Sequence, residues 1–308
     1  MDGKHYNLVL WIRHCNRRRD GATASVGPKS SDICEQDLKR DRLSMLIIAT
    51  FTQQIHPSNS HMTQIDFDAR YSRQIKLPLI GQAGQEALDK ARVLVVGMGG
   101  LGSPVALYLA AAGVGHLILA DFDVVEESNL QRQIIHGQSD IGRLKSESAA
   151  DSLKNINPDL TIDTLNFALD HDDLLVQAKS CDLIVDCTDN FPTRFELNRV
   201  SLTTKTPLVS GAAIRFEGQV TAFDPNQPDS PCYQCLYPNT DVEAASCAME
   251  GVIAPLVGVI GTMQALEAIN ILVGNGQLHG NVWLFDAQYM EWQKIGLPKN
   301  PNCPACSS

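Results

Sequence analysis

Val93-Leu94-Val95-Val96-Gly97-Met98-Gly99-Gly100-Leu101-Gly102 decides the fold. The first four residues are an apolar, mostly β-branched run that suits a buried strand. The glycines that follow let the chain turn sharply, and residues 103–112 continue as a helix that Gly113 closes. Strand, glycine turn and helix in this order put unpaired N–H groups and the positive end of a helix dipole at one point, which favours a phosphate. His116–Ala120 is the next apolar strand. It ends at Asp121, about 20 residues past the turn, where a carboxylate can accept bonds from ribose hydroxyls. The stretch reads as an adenine-nucleotide site and leaves NAD and ATP both open.

Working outward, residues 72–90 read as a polar helix and 143–155 as a helix stopped before Pro158. Residues 160–165, Leu183–Asp186 and 208–210 read as further strands with helices between them. The alternation predicts an α/β chain, a Rossmann-like and mostly parallel sheet with helices on both faces. After Gly211 the pattern changes. Residues 218–223 alternate as an antiparallel strand does, Ala254–Leu272 is one long apolar helix, and 281–285 with 289–295 form a closing hairpin.

The 308 residues are 44% hydrophobic and 19% charged, which excludes a chain disordered throughout, a collagen and a coiled coil. A net charge of −10 argues against a nucleic-acid binder. There is no uninterrupted run of 18 apolar residues and no signal-peptide arrangement, so we expect no membrane span and a cytoplasmic location. The charge divides unevenly. Residues 1–61 hold nine Lys/Arg against six Asp/Glu, while the rest of the chain is strongly acidic. The first stretch lacks strand alternation and a sustained helical stripe. We expect a disordered extension or a start placed too far upstream, with residues 62–308 as the domain.

Of nine cysteines, Cys232-x-x-Cys235 and Cys303-x-x-Cys306 form two pairs. In a cytosolic chain, paired CxxC reads as a metal site before a disulfide, since four thiolates close a tetrahedral zinc site. Both pairs lie in loops, and neither opens a helix after a strand as a thioredoxin-type redox pair does. The fold must bring the pairs together.

Ser128-Asn129-Leu130-Gln131-Arg132-Gln133 follows Asp121, and then Lys145. Cations beside a nucleotide pocket suit a triphosphate better than a nicotinamide. Asp186-Cys187-Thr188-Asp189-Asn190 closes a strand at its carboxyl end, where such sheets bind ligands and where a carboxylate can hold Mg²⁺. Each residue has a plainer reading: Asn129 caps a turn, Asp189 caps the next helix, Lys145 is a solvated helix residue. Their order behind a nucleotide turn favours ATP.

Arg70-Tyr71-Ser72-Arg73-Gln74, the turn 97–102, the stretch 121–133, residues 187–190, both CxxC pairs and Gly258-Val259-Ile260-Gly261-Thr262 together resemble the E1-like adenylyltransferases of the MoeB/ThiF/HesA family. The resemblance runs from Asp68 to the end and is highly specific. It implies adenylation of the C-terminal Gly-Gly carboxylate of a small ubiquitin-like sulfur-carrier protein with Mg-ATP, releasing pyrophosphate. It implies that Gly100 contacts the nucleotide through its backbone and that Asp121 binds the ribose. Asn129, Arg132 and Lys145 would hold the phosphates, Gln133 would bind the nucleotide, and Asp189 Mg²⁺. Arg73 matches an arginine that reaches across a homodimer to the partner's ATP.

Cys247 matches the family's loop cysteine. No Lys, Arg or His within a dozen residues would lower its pKa, so a loop residue without chemistry is favoured over a covalent role. The stretch 209–219 looks more like molybdopterin-synthase adenylyltransferases than thiamine-pathway ones. The chain ends two residues after Cys306, which predicts a separate sulfurtransferase rather than a fused one. Two other classes fit these residues less well. An NAD-dependent dehydrogenase has no need of Asn129, Arg132, Lys145 and Asp189 together, and an inactive docking scaffold has no need of the ATP residues.

Overall fold

A computed structural model of the chain describes residues 67–238 and 250–307. The expectations for residues 1–61 and for Cys247 fall outside the described residues. Eight strands form one sheet in the order β3-β2-β1-β4-β5-β6-β7-β8. The first five are β1 Arg92–Val96, β2 His116–Ala120, β3 Thr161–Leu165, β4 Leu183–Asp186 and β5 Leu208–Ile214. They pair in parallel. β6 Glu217–Phe223, β7 Asn281–Asp286 and β8 Glu291–Gly296 extend the sheet antiparallel. The antiparallel extension and the closing hairpin are both present, with the change of direction at residues 215–216 rather than after Gly211.

The parallel strands are buried on both faces because helices cover both. Val93 and Val95 of β1 face one core with α3 Gly102–Ala112 and α4 Lys145–Ile156. Leu94 and Val96 face the other, with α5 His171–Lys179 and α6 Phe191–Thr204. The continuous apolar run 93–96 is therefore a strand read from both sides.

The expected helix over 72–90 is two helices, α1 Phe67–Ile75 and α2 Gly81–Lys90. Pro78 has no N–H and pushes Leu77 out of the helical region, and both Ile80 N and Gly81 N turn back to Leu77 O at 2.9 Å. The expected strand 208–210 runs on to Ile214. Gly211, Ala212 and Ala213 carry no strand propensity of their own, but β6 pairs with β5 from Leu208↔Phe223 to Ile214↔Glu217.

A short helix, α7 Tyr233–Leu236, precedes α8 Ala254–Leu272, which has 19 residues. By length and composition α8 is apolar enough to cross a membrane. Here Leu256, Val257, Ile260 and Ala265 are buried in the core of the sheet. Its two buried polar side chains also point inward. Gln264 Nε2 donates to Asp186 O at 2.7 Å, and Glu267 Oε1 accepts from Gln277 N at 2.7 Å and Leu278 N at 2.6 Å.

Candidate functional site: a nucleotide crevice and a four-cysteine cluster

The chain runs outward from β1 through β2 to β3 and then returns to place β4 on the other side of β1. Ligands of such sheets bind beyond the carboxyl ends of the strands at this reversal. The glycine turn leaves β1 there and Asp189 follows β4. Gly97 N bonds Ala120 O at 2.8 Å and Cys187 N bonds Val96 O at 2.9 Å, so the ends of β1, β2 and β4 meet. Gly97 has φ +94°, and a Cβ on it would come within 2.8 Å of Cys187 O. A Cβ on Gly100 would come within 2.9 Å of Val257 on α8, so packing as well as ligand access holds glycine at that position.

Asp121 braces the turn. Its Oδ2 accepts from Met98 N at 2.7 Å and its Oδ1 from Asp123 N at 2.9 Å. Burial raises its pKa, against the pull of Lys145. Each carboxylate oxygen keeps a further lone pair for a hydroxyl donor. Lys145, at the start of α4, is no solvated residue. Its side chain is 9% exposed and Nζ donates to Asp123 Oδ2 at 2.8 Å. Asn129 is buried and its Oδ1 accepts from Glu126 N at 3.1 Å, so the turn-capping reading is realised in the fold. Arg132 Nη1 rests on Ser128 O at 3.0 Å. Gln133 is buried beside Gly99, and its Oε1 has no hydrogen-bond partner. An orphaned buried acceptor beside a glycine turn fits a group that donates a hydrogen bond, as the hydroxyl and amino groups of a nucleotide do.

Asp189 does not cap α6. Asn190 does, with Oδ1 accepting from Thr193 N at 3.0 Å. The Asp189 carboxylate is exposed and has no hydrogen bond or ion pair among the described residues. Cys187 lies buried just before it, and burial pushes its thiol well above the ordinary value, as a packing role requires.

Arg73 stands apart. α1 sits at the other end of the sheet, where Gln74 Nε2 donates to Ala112 O at 2.8 Å and Asn157 Nδ2 to Tyr71 Oη at 3.3 Å. Arg73 is exposed on that helix and is not brought into the crevice of its own chain.

The two CxxC pairs do meet. The four sulfurs of Cys232, Cys235, Cys303 and Cys306 lie within 4.8 Å of one another. Cys232 is 3.9 Å from Cys235 and 3.6 Å from Cys303, and Cys235 is 3.5 Å from Cys306. Sulfurs around a tetrahedral zinc stand about 3.8 Å apart, so the donor set fits that ion, and the spacing is far beyond an S–S bond. Asn300 N donates to Cys235 Sγ at 3.4 Å, the kind of outer bond that steadies a thiolate ligand. Burial pushes the Cys232 thiol up to about 11, a cost that a bound dication reverses.

Sequence reading missed two groups. His136 is buried behind the glycine turn, with Nε2 3.0 Å from Met98 O and Nδ1 2.8 Å from Ser148 Oγ. Asp186 and Arg194 form a buried charge pair below Asp189, at 3.9 Å. A lone histidine and an arginine one turn into a helix carry no sequence signal of burial.

Residues 71–305 match the sequence profile of the ThiF family. Over 238 residues the chain is 48% identical to a molybdopterin-synthase adenylyltransferase of Salmonella typhimurium (strain LT2), covering 77% of this chain and 95% of that protein. It is 43% identical over 245 residues to the sulfur carrier protein ThiS adenylyltransferase of Escherichia coli (strain K12), covering 80% and 97%. The crystal structure of E. coli MccB with ATP has the same fold, with a TM-score of 0.66 at 22% identity over 77% of this chain and 74% of that one. The chain belongs to the ThiF family and is an E1-like adenylyltransferase, a nucleotidyltransferase.

Proposed function

We propose that the enzyme uses ATP to adenylate the C-terminal Gly-Gly carboxylate of a small ubiquitin-like sulfur carrier of the molybdopterin-synthase small-subunit type. The observation that carries this reading is the pairing, across one strand reversal, of a glycine turn backed by Asp121 with a carboxylate, Asp189, that has no partner among the described residues. The names of the relatives support the carrier. A carboxylate oxygen of the tail attacks the α-phosphorus of ATP, an acyl-adenylate forms and pyrophosphate leaves. Negative charge gathers on phosphate oxygens, so the work is positioning and electrostatic stabilisation. Asp121 accepts from the ribose, and the backbone at Gly100 faces the nucleotide. Asn129, Arg132 and Lys145 hold the phosphates, with Lys145 released from Asp123, and Gln133 binds the nucleotide. Asp189 holds Mg²⁺, which neutralises phosphate charge.

The same reading makes the cysteine cluster a structural zinc site and the enzyme a homodimer in which Arg73 serves the partner's crevice. An apolar groove of about 630 Å³ beside Arg132, lined by Pro104, Val259, Met263 and Trp292, supports a protein surface seated there. Sulfur then comes from a separate sulfurtransferase, the compartment is the cytoplasm, and residues 62–308 are the working domain. The thiamine-pathway carrier is the second reading, supported by the E. coli relative named above. ATP–pyrophosphate exchange with each purified carrier tests both. Exchange with neither would sink the proposal, and exchange with the thiamine-pathway carrier alone would reverse the preference.

A further inference from the structure

Beneath the loop that carries Asp189 lies a buried polar network that the reaction does not use. Asp186 ends β4 at 1% exposure. Its Oδ1 accepts from Thr188 N at 3.0 Å and Thr188 Oγ1 at 2.7 Å, and its Oδ2 from Ser210 Oγ at 2.7 Å. Arg194 of α6 is 8% exposed and stands beside Asp186. A buried pair of this kind is poor stabiliser by itself, because desolvating both charges offsets their attraction. What Arg194 does with its remaining donors is informative. Nη2 donates to Thr188 O and, at 3.2 Å, to Gly211 O.

Thr188 O belongs to the peptide that leads into Asp189. The residue on one side of Asp189 is thus pinned by Arg194, and Asn190 on the other is pinned as the α6 cap. Between them the Asp189 carboxylate stands exposed and unpartnered among the described residues. A flexible loop would spend free energy ordering this ligand each time a cation bound, whereas a pinned one does not. Nη2 reaches both carbonyls while Nε faces the Asp186 carboxylate at 3.9 Å, an arrangement that a single terminal ammonium does not reproduce.

We propose that Arg194 is a positioning residue for Asp189: by clamping the Thr188 and Gly211 carbonyls it holds the metal-binding carboxylate in place without touching metal or nucleotide. This rests on the reading of Asp189 as the magnesium ligand. The consequence is a lesion confined to metal binding.

The test uses the full chain and Mn²⁺ as the probe, read by electron paramagnetic resonance in the presence of the non-hydrolysable analogue AMPCPP. Arg194→Lys keeps a positive charge but has one nitrogen, which cannot face Asp186 and reach both carbonyls at once. It should keep the wild-type melting profile and cysteine-cluster metal content, and weaken Mn²⁺ binding by about tenfold to a hundredfold, the usual cost of losing an outer-shell partner. Binding of AMPCPP without metal should stay near wild type, which a general structural lesion would not permit. In an Asp189→Ala background Arg194→Lys should cost no further metal affinity, because it acts through that carboxylate. Should Arg194→Lys not fold, Asp186→Asn/Arg194→Gln removes both buried charges together and should show the same metal-specific loss. Wild-type Mn²⁺ affinity in the folded variant, equal losses with and without metal, or additive losses in the double variant would overturn the proposal. Tight Mn²⁺–AMPCPP binding by an enzyme with no pyrophosphate exchange would sink the adenylation reading alone, since the Arg194 comparison is read from the metal.

Discussion

Lys145 Nζ is held 2.8 Å from Asp123 Oδ2, with the lysine side chain buried and the aspartate half exposed. The pair lies beside the glycine turn, because Asp123 N also bonds the Asp121 carboxylate that braces it. On the proposed reading a triphosphate competes with Asp123 for the lysine.

It follows that Asp123→Asn should lower the KM for ATP several-fold, because the competing carboxylate is gone. Lys145→Gln should cut pyrophosphate exchange by about a hundredfold or more, the usual loss on removing one preorganised donor. Steady-state kinetics with ATP varied at saturating carrier separates the two. An unchanged KM in Asp123→Asn would make the ion pair irrelevant to binding.

His136 predicts a pH effect on stability. Nε2 donates to the Met98 carbonyl, and Nδ1 lies 2.8 Å from Ser148 Oγ. Burial lowers its pKa, and Lys145 adds to this while Asp121 and Asp140 oppose it. A base with a lowered folded pKa binds its proton first in the unfolded chain. Stability therefore falls as the pH drops below about 6.5, the unfolded value, and the loss stops below the folded value. Thermal melts of wild type between pH 7 and 5 should show this decline, and His136→Gln should flatten it.

The cysteine cluster should bind one Zn²⁺ per chain through sulfur alone. Losing one ligand, as in Cys303→Ser, should lower the melting temperature of the whole protein more than it alters the nucleotide KM, because the pairs tie the C-terminal segment to the body. Elemental analysis well under one zinc per chain would count against the site.

Arg73 and Asp189 give a complementation test. If Arg73 serves the partner's crevice, Arg73→Ala and Asp189→Ala are each nearly inactive alone. Mixed dimers place both lesions in one site and leave the other whole, so mixing should restore at most about a quarter of wild-type activity under random exchange. No recovery, with exchange verified by mass, would remove Arg73 from the partner's site.

Much of this architecture was legible because its signals are local. Val93–Val96, the glycine turn and Ala254–Leu272 announce strand, turn and buried helix by apolar runs and by residues with special backbone freedom. The cysteine cluster was legible from spacing, although only the fold shows that Cys232 meets Cys303. The helix break at Pro78 carried a signal that the polar pattern of 72–90 overrode. Ile214 joined β5 through its partner strand, which no local pattern reveals. The burial of Arg194 and His136 is tertiary in origin, since a charged residue on a helix reads as solvated until its neighbours are known.

The close approach of Gly100 to Val257 has a consequence for how the family's sequences can change. The nucleotide turn and the long apolar helix, far apart along the chain, share a single gap with room for one isopropyl group and a bare Cα. Enlarging either side alone forces the turn outward. A methyl added at position 100 becomes tolerable only after volume is surrendered at 257. The two positions are sterically coupled, and the path of the turn can be shifted from the helix without a substitution in the turn itself.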